Sequence, residues 1–205
     1  MDNTLENITK ILLALKSTSR TGWMLRGVHH SVAETVSEHM EDASILSLVL
    51  AQLLREKGVE VSPEKASALA SVHDIAEAYI GDIVKLASRT LGEKAKEQLE
   101  LEVVAKNLGK NSVVYNLLEE YITQTSIEAK IAKLSETIAT LIQGTIYVEQ
   151  GFKVEEIICS MYRSAREQLE KELALLRDTL EILLNNARKY CTSGESDEGT
   201  TRRAA

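Results

Sequence analysis

The sequence predicts an all-α fold, a compact helical bundle ending in one long C-terminal helix, and three observations predict it. The 205 residues contain one proline, Pro63, and ten glycines, whereas a β-sandwich or barrel needs turn residues every ~8–12 positions. Aromatic residues make up 4%, too few to populate strands. Leu, Ala, Glu and Lys, good helix formers, place apolar side chains at spacings of three and four. With 44% hydrophobic and 27% charged residues, the chain can bury a core without disulfides or structural metal and is too apolar to be disordered. A single domain is expected over residues 1–190, with a small, polar, disordered tail at 191–205.

Each element has a local reason. Asn3 caps a first helix running to about Lys16. Residues 17–30, STSRTGWMLRGVHH, carry two glycines and read as a loop. Ser31 and Glu34 form a capping box for a second helix that ends at Gly58, with the stripe Val32, Val36, Met40, Ala43, Leu46, Leu50 and Leu53. Ser62 caps a third helix with Pro63 at its first position, where the missing N–H costs nothing, and this helix runs to Ile80–Gly81. Further helices are predicted over 93–108, 111–124 and, capped by Ser126, to Gln150. The last runs from Val154 to Tyr190 and carries Tyr162, Ala165, Leu169, Leu173, Leu176, Leu180, Leu183 and Ala187 at helical spacing. An uncovered stripe of that length is an aggregation hazard, so a symmetric homodimer is predicted, with an intramolecular hairpin as the alternative.

The charge balance excludes whole classes of partner. A net charge of -7 and the lack of any Lys/Arg cluster argue against a nucleic-acid polymer. No apolar run approaches the roughly 20 residues that cross a bilayer, so no membrane partner is expected. The polar start MDNTLENITK does not read as a signal peptide, and a cytoplasmic location is expected. Cys159 and Cys191 lie at no metal-type spacing and read as free thiols in a reducing compartment.

Three groups of residues are candidates for chemistry. In VHDIAEAYIGD, residues 72–82, His73 lies one helical turn after Leu69 at the edge of an apolar stripe. Asp74 follows it, Glu77 is one turn on, and Asp82 stands just past Gly81. Between Lys65 and Lys85 the only basic side chain is His73, so these groups converge instead of mixing with lysines on a solvated face. The alternative is a core histidine beside a surface aspartate. His39, on the inward stripe of its helix, is either a packed core histidine or an imidazole ligand. Glu136 is the only charged residue from Leu134 to Val148, on a helix with no solvated face. A carboxylate there must be protonated, ion-paired or bound to a cation. Two histidines and two carboxylates form a mixed N/O set suited to a divalent transition metal with positions open for water.

Four blocks bring these residues together: RTGWMLRGV at 20–28, ETVSEHM at 34–40, HDIAEAYIGDI at 73–83 and TSIEAKIAKLSETIATLIQG at 125–144. In this order and spacing the chain resembles HD-superfamily metal phosphohydrolases, and among them the 5'-deoxynucleotidase branch, over about residues 5–165. The resemblance implies an HD core holding one divalent metal ion per chain (Mn, Co, Zn, Ni or Mg) on His39, His73, Asp74 and Glu136. It implies Glu77 as the catalytic glutamate, with Asp82 from the Gly-Asp pair as a further catalytic residue. Arg20, Trp23 and Arg26 become candidates for substrate contacts. The implied reaction is hydrolysis of deoxyribonucleoside 5'-monophosphates to deoxynucleoside and phosphate. At one position the chain departs from the pattern: Glu136 stands where the family has aspartate. The added methylene extends the carboxylate by roughly 1.5 Å, a displacement that matters for catalysis. Two alternatives follow, an HD phosphohydrolase acting on a signalling nucleotide and a catalytically weakened nucleotide-binding protein.

Overall fold

The computed structural model describes residues 4–170 and 173–191. Its helices are α1 (Thr4–Ser17), α2 (Thr21–Met24), α3 (Val36–Glu56), α4 (Pro63–Ala70), α5 (Glu77–Ile80), α6 (Lys85–Leu91), α7 (Glu93–Leu108), α8 (Val113–Thr123), α9 (Ile127–Glu149), α10 (Glu155–Gln168) and α11 (Arg177–Arg188). Single 3-10 turns lie at Ala174–Leu176 and Lys189–Cys191. The fold is all-α as predicted, and among the described residues the only β-type pairing is one antiparallel bridge between Ser19 and Thr35. The predicted cap at Asn3 and residues 192–205 of the predicted tail lie outside the described residues, while Cys191, its first residue, belongs to the last 3-10 turn.

Several boundaries follow their local signals. Ser62 accepts from the Lys65 N–H with Pro63 in the first turn of α4, Ser112 accepts from Tyr115 N–H at the head of α8, and Ser126 accepts from Ala129 N–H at the head of α9. α7 begins and ends where predicted.

Three helix assignments are corrected. The long second helix starts at Val36 and not at Ser31, because its capping box is Thr35 with Glu38. Glu34 is unavailable for a box with Ser31, since its buried carboxylate accepts from the Trp23 indole. Val32, placed on the apolar stripe by the sequence, is exposed in the turn before the helix. The third helix stops at Ala70, and residues 71–76 form tight turns closed by Val72 N–H to Leu69 O, Ile75 N–H to Val72 O and Glu77 N–H to Asp74 O. The last helix is two, α10 and α11, which pack on each other. Leu169, Leu173, Leu176, Leu180, Leu184 and Ala187 are thereby buried within the chain, against Leu50, Leu54, Ile131 and Ile138. The homodimer expected from an uncovered stripe loses that basis.

The fold-back of α11 also corrects the reading of the cysteines. Cys159 on α10 and Cys191 after α11 are joined as a disulfide, with Cα atoms 5.0 Å apart. A separation of 32 residues conceals a proximity that only the turn between the two helices creates.

The helices α3, α4, α9 and α10 form the centre of the bundle. A second apolar cluster, including Ile11, Val36, Val104 and Leu118, joins α1, the first turn of α3, α7 and α8. One close approach depends on glycine. A Cβ at Gly144 of α9 would lie 2.8 Å from Ile158 Cγ1 and 3.2 Å from Trp23 Cη2. On an open helix face Gly→Ala stabilises by about 1 kcal/mol, but here overpacking costs about 1–3 kcal/mol. Gly144→Ala is therefore expected to lower the melting temperature, and a rise on thermal denaturation would contradict this packing.

Candidate metal centre and active site

His39 lies in the first turn of α3, where the Thr35 cap holds the backbone, and is fully buried. His73 and Asp74 occupy the tight turns between α4 and α5. These turns, in place of a continuous helix, bring the two histidine rings to 5.2 Å between centroids. The Asp74 carboxylate lies 3.2 Å from His73 Nε2 and 4.0 Å from His39 Nε2. His73 Nδ1 is 2.6 Å from the Ala70 carbonyl. A carbonyl only accepts, so Nδ1 carries a proton and Nε2 is the ring atom left to serve as a ligand, as in metal-binding histidines oriented by an outer partner.

The donor set fits a cation. His39 Nδ1 and Nε2 and His73 Nε2 are buried without a hydrogen-bond partner, a costly condition for polar atoms. One ligand atom from each of His39, His73 and Asp74 lies within 4.8 Å of the others. Two imidazoles and a carboxylate suit a borderline divalent ion. Burial, with Arg20 and His73 nearby, holds His39 well below the usual imidazole range, which keeps it neutral and able to coordinate. Asp74 is held well below the usual carboxylate range, because His73, Arg20 and His39 outweigh its burial.

Glu77 opens α5 with its carboxyl buried and Oε2 without a hydrogen-bond partner. Burial, aided by the charges of Asp74 and Asp82, pushes it up to about 10, so it carries a proton at neutral pH. Arg20 is the cation in direct contact with Asp74. Its Nη1 lies 2.7 Å from Asp74, 3.5 Å from Asp82 and 3.9 Å from Glu77. The bridge that pairs Ser19 with Thr35 holds it there, through Arg20 N–H to Glu34 O and Val36 N–H to Thr18 O. Asp82 fastens the same loop by accepting from Thr21 N–H, while its carbonyl accepts from the Thr21 hydroxyl.

The other predicted residues are placed differently. Glu136, at mid-α9, lies outside the group formed by His39, His73 and Asp74. It accepts from the Tyr121 hydroxyl and pairs with Lys133 at 2.9 Å. Burial favours the neutral acid, but Lys133 and His73 overcome it and keep Glu136 ionised. The Tyr121 ring is 5.4 Å from that of His73, so Glu136 borders the centre through Tyr121. Trp23 is buried, donates to Glu34 at 2.7 Å and packs edge-on against Tyr147. Arg26 pairs with Glu156 of α10 and is not brought to the centre.

Sequence reasoning missed Glu34, Tyr121, Lys133, Lys96 and Glu100. The last two had a legible signal, charges at the four-residue spacing that leads to the core position Val104. Glu34 has a consequence for stability. Burial pushes its carboxyl up to about 7 from 4.5, against the opposing Trp23 bond and Arg20 charge. A raised carboxylic acid means that the folded state binds the extra proton between these values. Stability therefore falls as pH rises from about 4.5 to 7, by up to about 3 kcal/mol. Glu34→Gln keeps an acceptor for Trp23 and is expected to flatten this slope in urea titrations at pH 5 and 8. An unchanged slope would contradict the assignment.

A family model described as HD domain matches residues 12–177. The chain belongs to the HD-domain family. It is 35% identical over 152 residues to a Danio rerio protein named 5'-deoxynucleotidase HDDC2, covering 73% of this chain and 72% of that one. A Homo sapiens protein of the same name is 31% identical, with 68% of this chain and 66% of the relative covered. In three dimensions this HD-domain chain resembles the crystal structure of PH0347 protein from Pyrococcus horikoshii OT3, with a TM-score of 0.73, 29% identity, and coverage of 91% of this chain and 99% of that one.

Proposed function

We propose that this chain hydrolyses deoxyribonucleoside 5'-monophosphates to deoxynucleoside and inorganic phosphate. The observation that carries the reading is the buried set of unpartnered imidazole nitrogens facing Asp74, with Glu77 and Arg20 beside it. The HD-domain relatives named 5'-deoxynucleotidase supply the substrate class. His39, His73 and Asp74 would hold one divalent ion, with Glu136 bordering the set through Tyr121. Such an ion supplies Lewis-acid polarisation of a phosphoryl oxygen and lowers the pKa of a bound water.

The protein's own groups do the rest. The water oxygen forms a new bond to phosphorus as the P–O5' bond breaks. Glu77 gives its proton to the departing 5' oxygen and takes one back from the water. Arg20, held by Asp74 and Asp82, offsets charge on the phosphoryl oxygens. Asp82 acts as a positioning residue for Arg20 and the Thr21 backbone, and Trp23 packs the loop that carries them.

The deciding experiment is a phosphate-release screen of deoxy- and ribonucleoside monophosphates and signalling nucleotides after chelation, repeated with Mn, Co, Zn, Ni and Mg. Release from deoxynucleoside monophosphates is expected. No release with any metal overturns the reading, and release confined to a signalling nucleotide replaces it with the other HD activity.

Glu136 is tested separately. Glu136→Ala is expected to weaken metal binding about 10- to 100-fold, the range seen when groups that support a metal site are removed. Elemental analysis after dialysis measures this, and full occupancy would remove Glu136 from the metal set.

A further inference from the structure

We propose that Lys96, held by Glu100, is a substrate-binding residue that grips the phosphoryl oxygens alongside Arg20. This inference rests on the phosphomonoesterase reading and adds a residue to it. On α7 the positions Lys96, Glu100 and Val104 are spaced by four and share one face. Val104 is fully buried in an apolar cluster with Ile75 and Ala76. The two charged residues continue this core-facing row toward the site. Their side chains are only 22% and 8% exposed, and Lys96 Nζ lies 3.0 Å from Glu100 Oε1.

The helix also packs against α5, which carries Glu77. Lys96 is sensitive to the charges of both Asp74 and Glu77, and Glu100 to that of Asp74. The pair therefore belongs to the same electrostatic enclosure as the candidate metal ligands, although it stands a full helix away from them in sequence.

A partly buried Lys–Glu pair is a poor stabilising device. Apolar residues of similar volume often serve as well or better. Phosphate binding supplies a reason for the charge. A phosphomonoester entering this site meets Asp74, Asp82 and Glu136 in a protein of net charge -7, so local cations must offset repulsion. Arg20 is already shared among three carboxylates, and Lys133 is engaged by Glu136. Lys96 has a single ion-pair partner among the described residues. An ammonium on a four-carbon stem can turn its remaining donors to a phosphate oxygen while keeping that partner.

The test titrates inorganic phosphate into the Mn-loaded full chain by calorimetry and measures KM and kcat for a deoxynucleoside monophosphate. Lys96→Met is expected to weaken phosphate binding by about tenfold or more, the worth of one charge-assisted hydrogen bond, and to raise KM more than it lowers kcat. Lys96→Arg is expected to recover most of that loss. Glu100→Gln, which keeps the ammonium and removes a competing anion, is expected to retain phosphate affinity. Unchanged phosphate binding in Lys96→Met, or equal losses in Lys96→Met and Glu100→Gln, would make the pair merely structural and overturn the inference. If Lys96→Met fails to fold, Lys96→Gln takes its place in the titration, with the same expected loss and the same overturning result. The two readings fail separately. A wild type that binds phosphate through Lys96 but hydrolyses no nucleoside monophosphate overturns the proposed activity alone.

Discussion

Replacing His39 with leucine is expected to stabilise the metal-free protein while abolishing metal binding and turnover. His39 is fully buried and neither ring nitrogen has a hydrogen-bond partner. Burying an unsatisfied polar atom costs about 1–3 kcal/mol, and leucine removes that cost. The same change deletes one of the two imidazoles that approach Asp74. If an ion supplies several kcal/mol of transition-state stabilisation, its loss lowers the rate by roughly 10³-fold or more. Wild-type stability is expected to rise with added metal and that of His39→Leu far less, because only the intact site binds the ion in the folded state. Thermal melting with and without metal, read beside elemental analysis, checks both signs. A leucine variant that keeps its metal and its rate would return His39 to the status of a core histidine.

Glu77→Gln is expected to lower kcat by about 10²–10⁴-fold, the usual contribution of a positioned general acid or base. Glutamine copies the size and neutrality of the protonated carboxyl that burial favours at this position. Folding and metal content are therefore expected to stay close to wild type, with KM changing less than kcat. The substitution removes only the transferable proton. A variant with near-normal kcat would assign proton transfer elsewhere. Loss of metal together with activity would instead make Glu77 part of the ion's environment.

Much of the fold was legible because helix ends are written in local chemistry. Ser62-Pro63, Ser126 and the two glycines around α7 mark boundaries that depend on backbone groups only a few residues away. The failures came where a distant group competed for a local signal. Ser31 and Glu34 satisfy the capping-box pattern as well as Thr35 and Glu38 do. Glu34, however, is taken by Trp23, and its backbone N–H by Tyr147, 113 residues away. The apolar spacing from Val154 to Tyr190 is continuous, yet it describes two faces folded onto a common core, since periodicity records which side is buried and not whether the axis bends.

The sequence by itself determined the helical class, the main helices and the set of chemical groups available: two inward histidines, the Asp74–Glu77–Asp82 cluster and a lone carboxylate at Glu136. Identity and spacing suffice there, because propensity, capping and amphipathic period are short-range properties. Only the tertiary structure decided how these groups meet. The turns at 71–76 aim His73 and Asp74 at His39. The bridge between Ser19 and Thr35 selects Arg20 over Arg26 as the cation beside Asp74, and Tyr121 and Lys133 claim the carboxylate of Glu136. These outcomes depend on contacts between segments tens of residues apart. Buried charges and unpaired nitrogens are arranged by the packing of whole helices, which no window of local sequence contains.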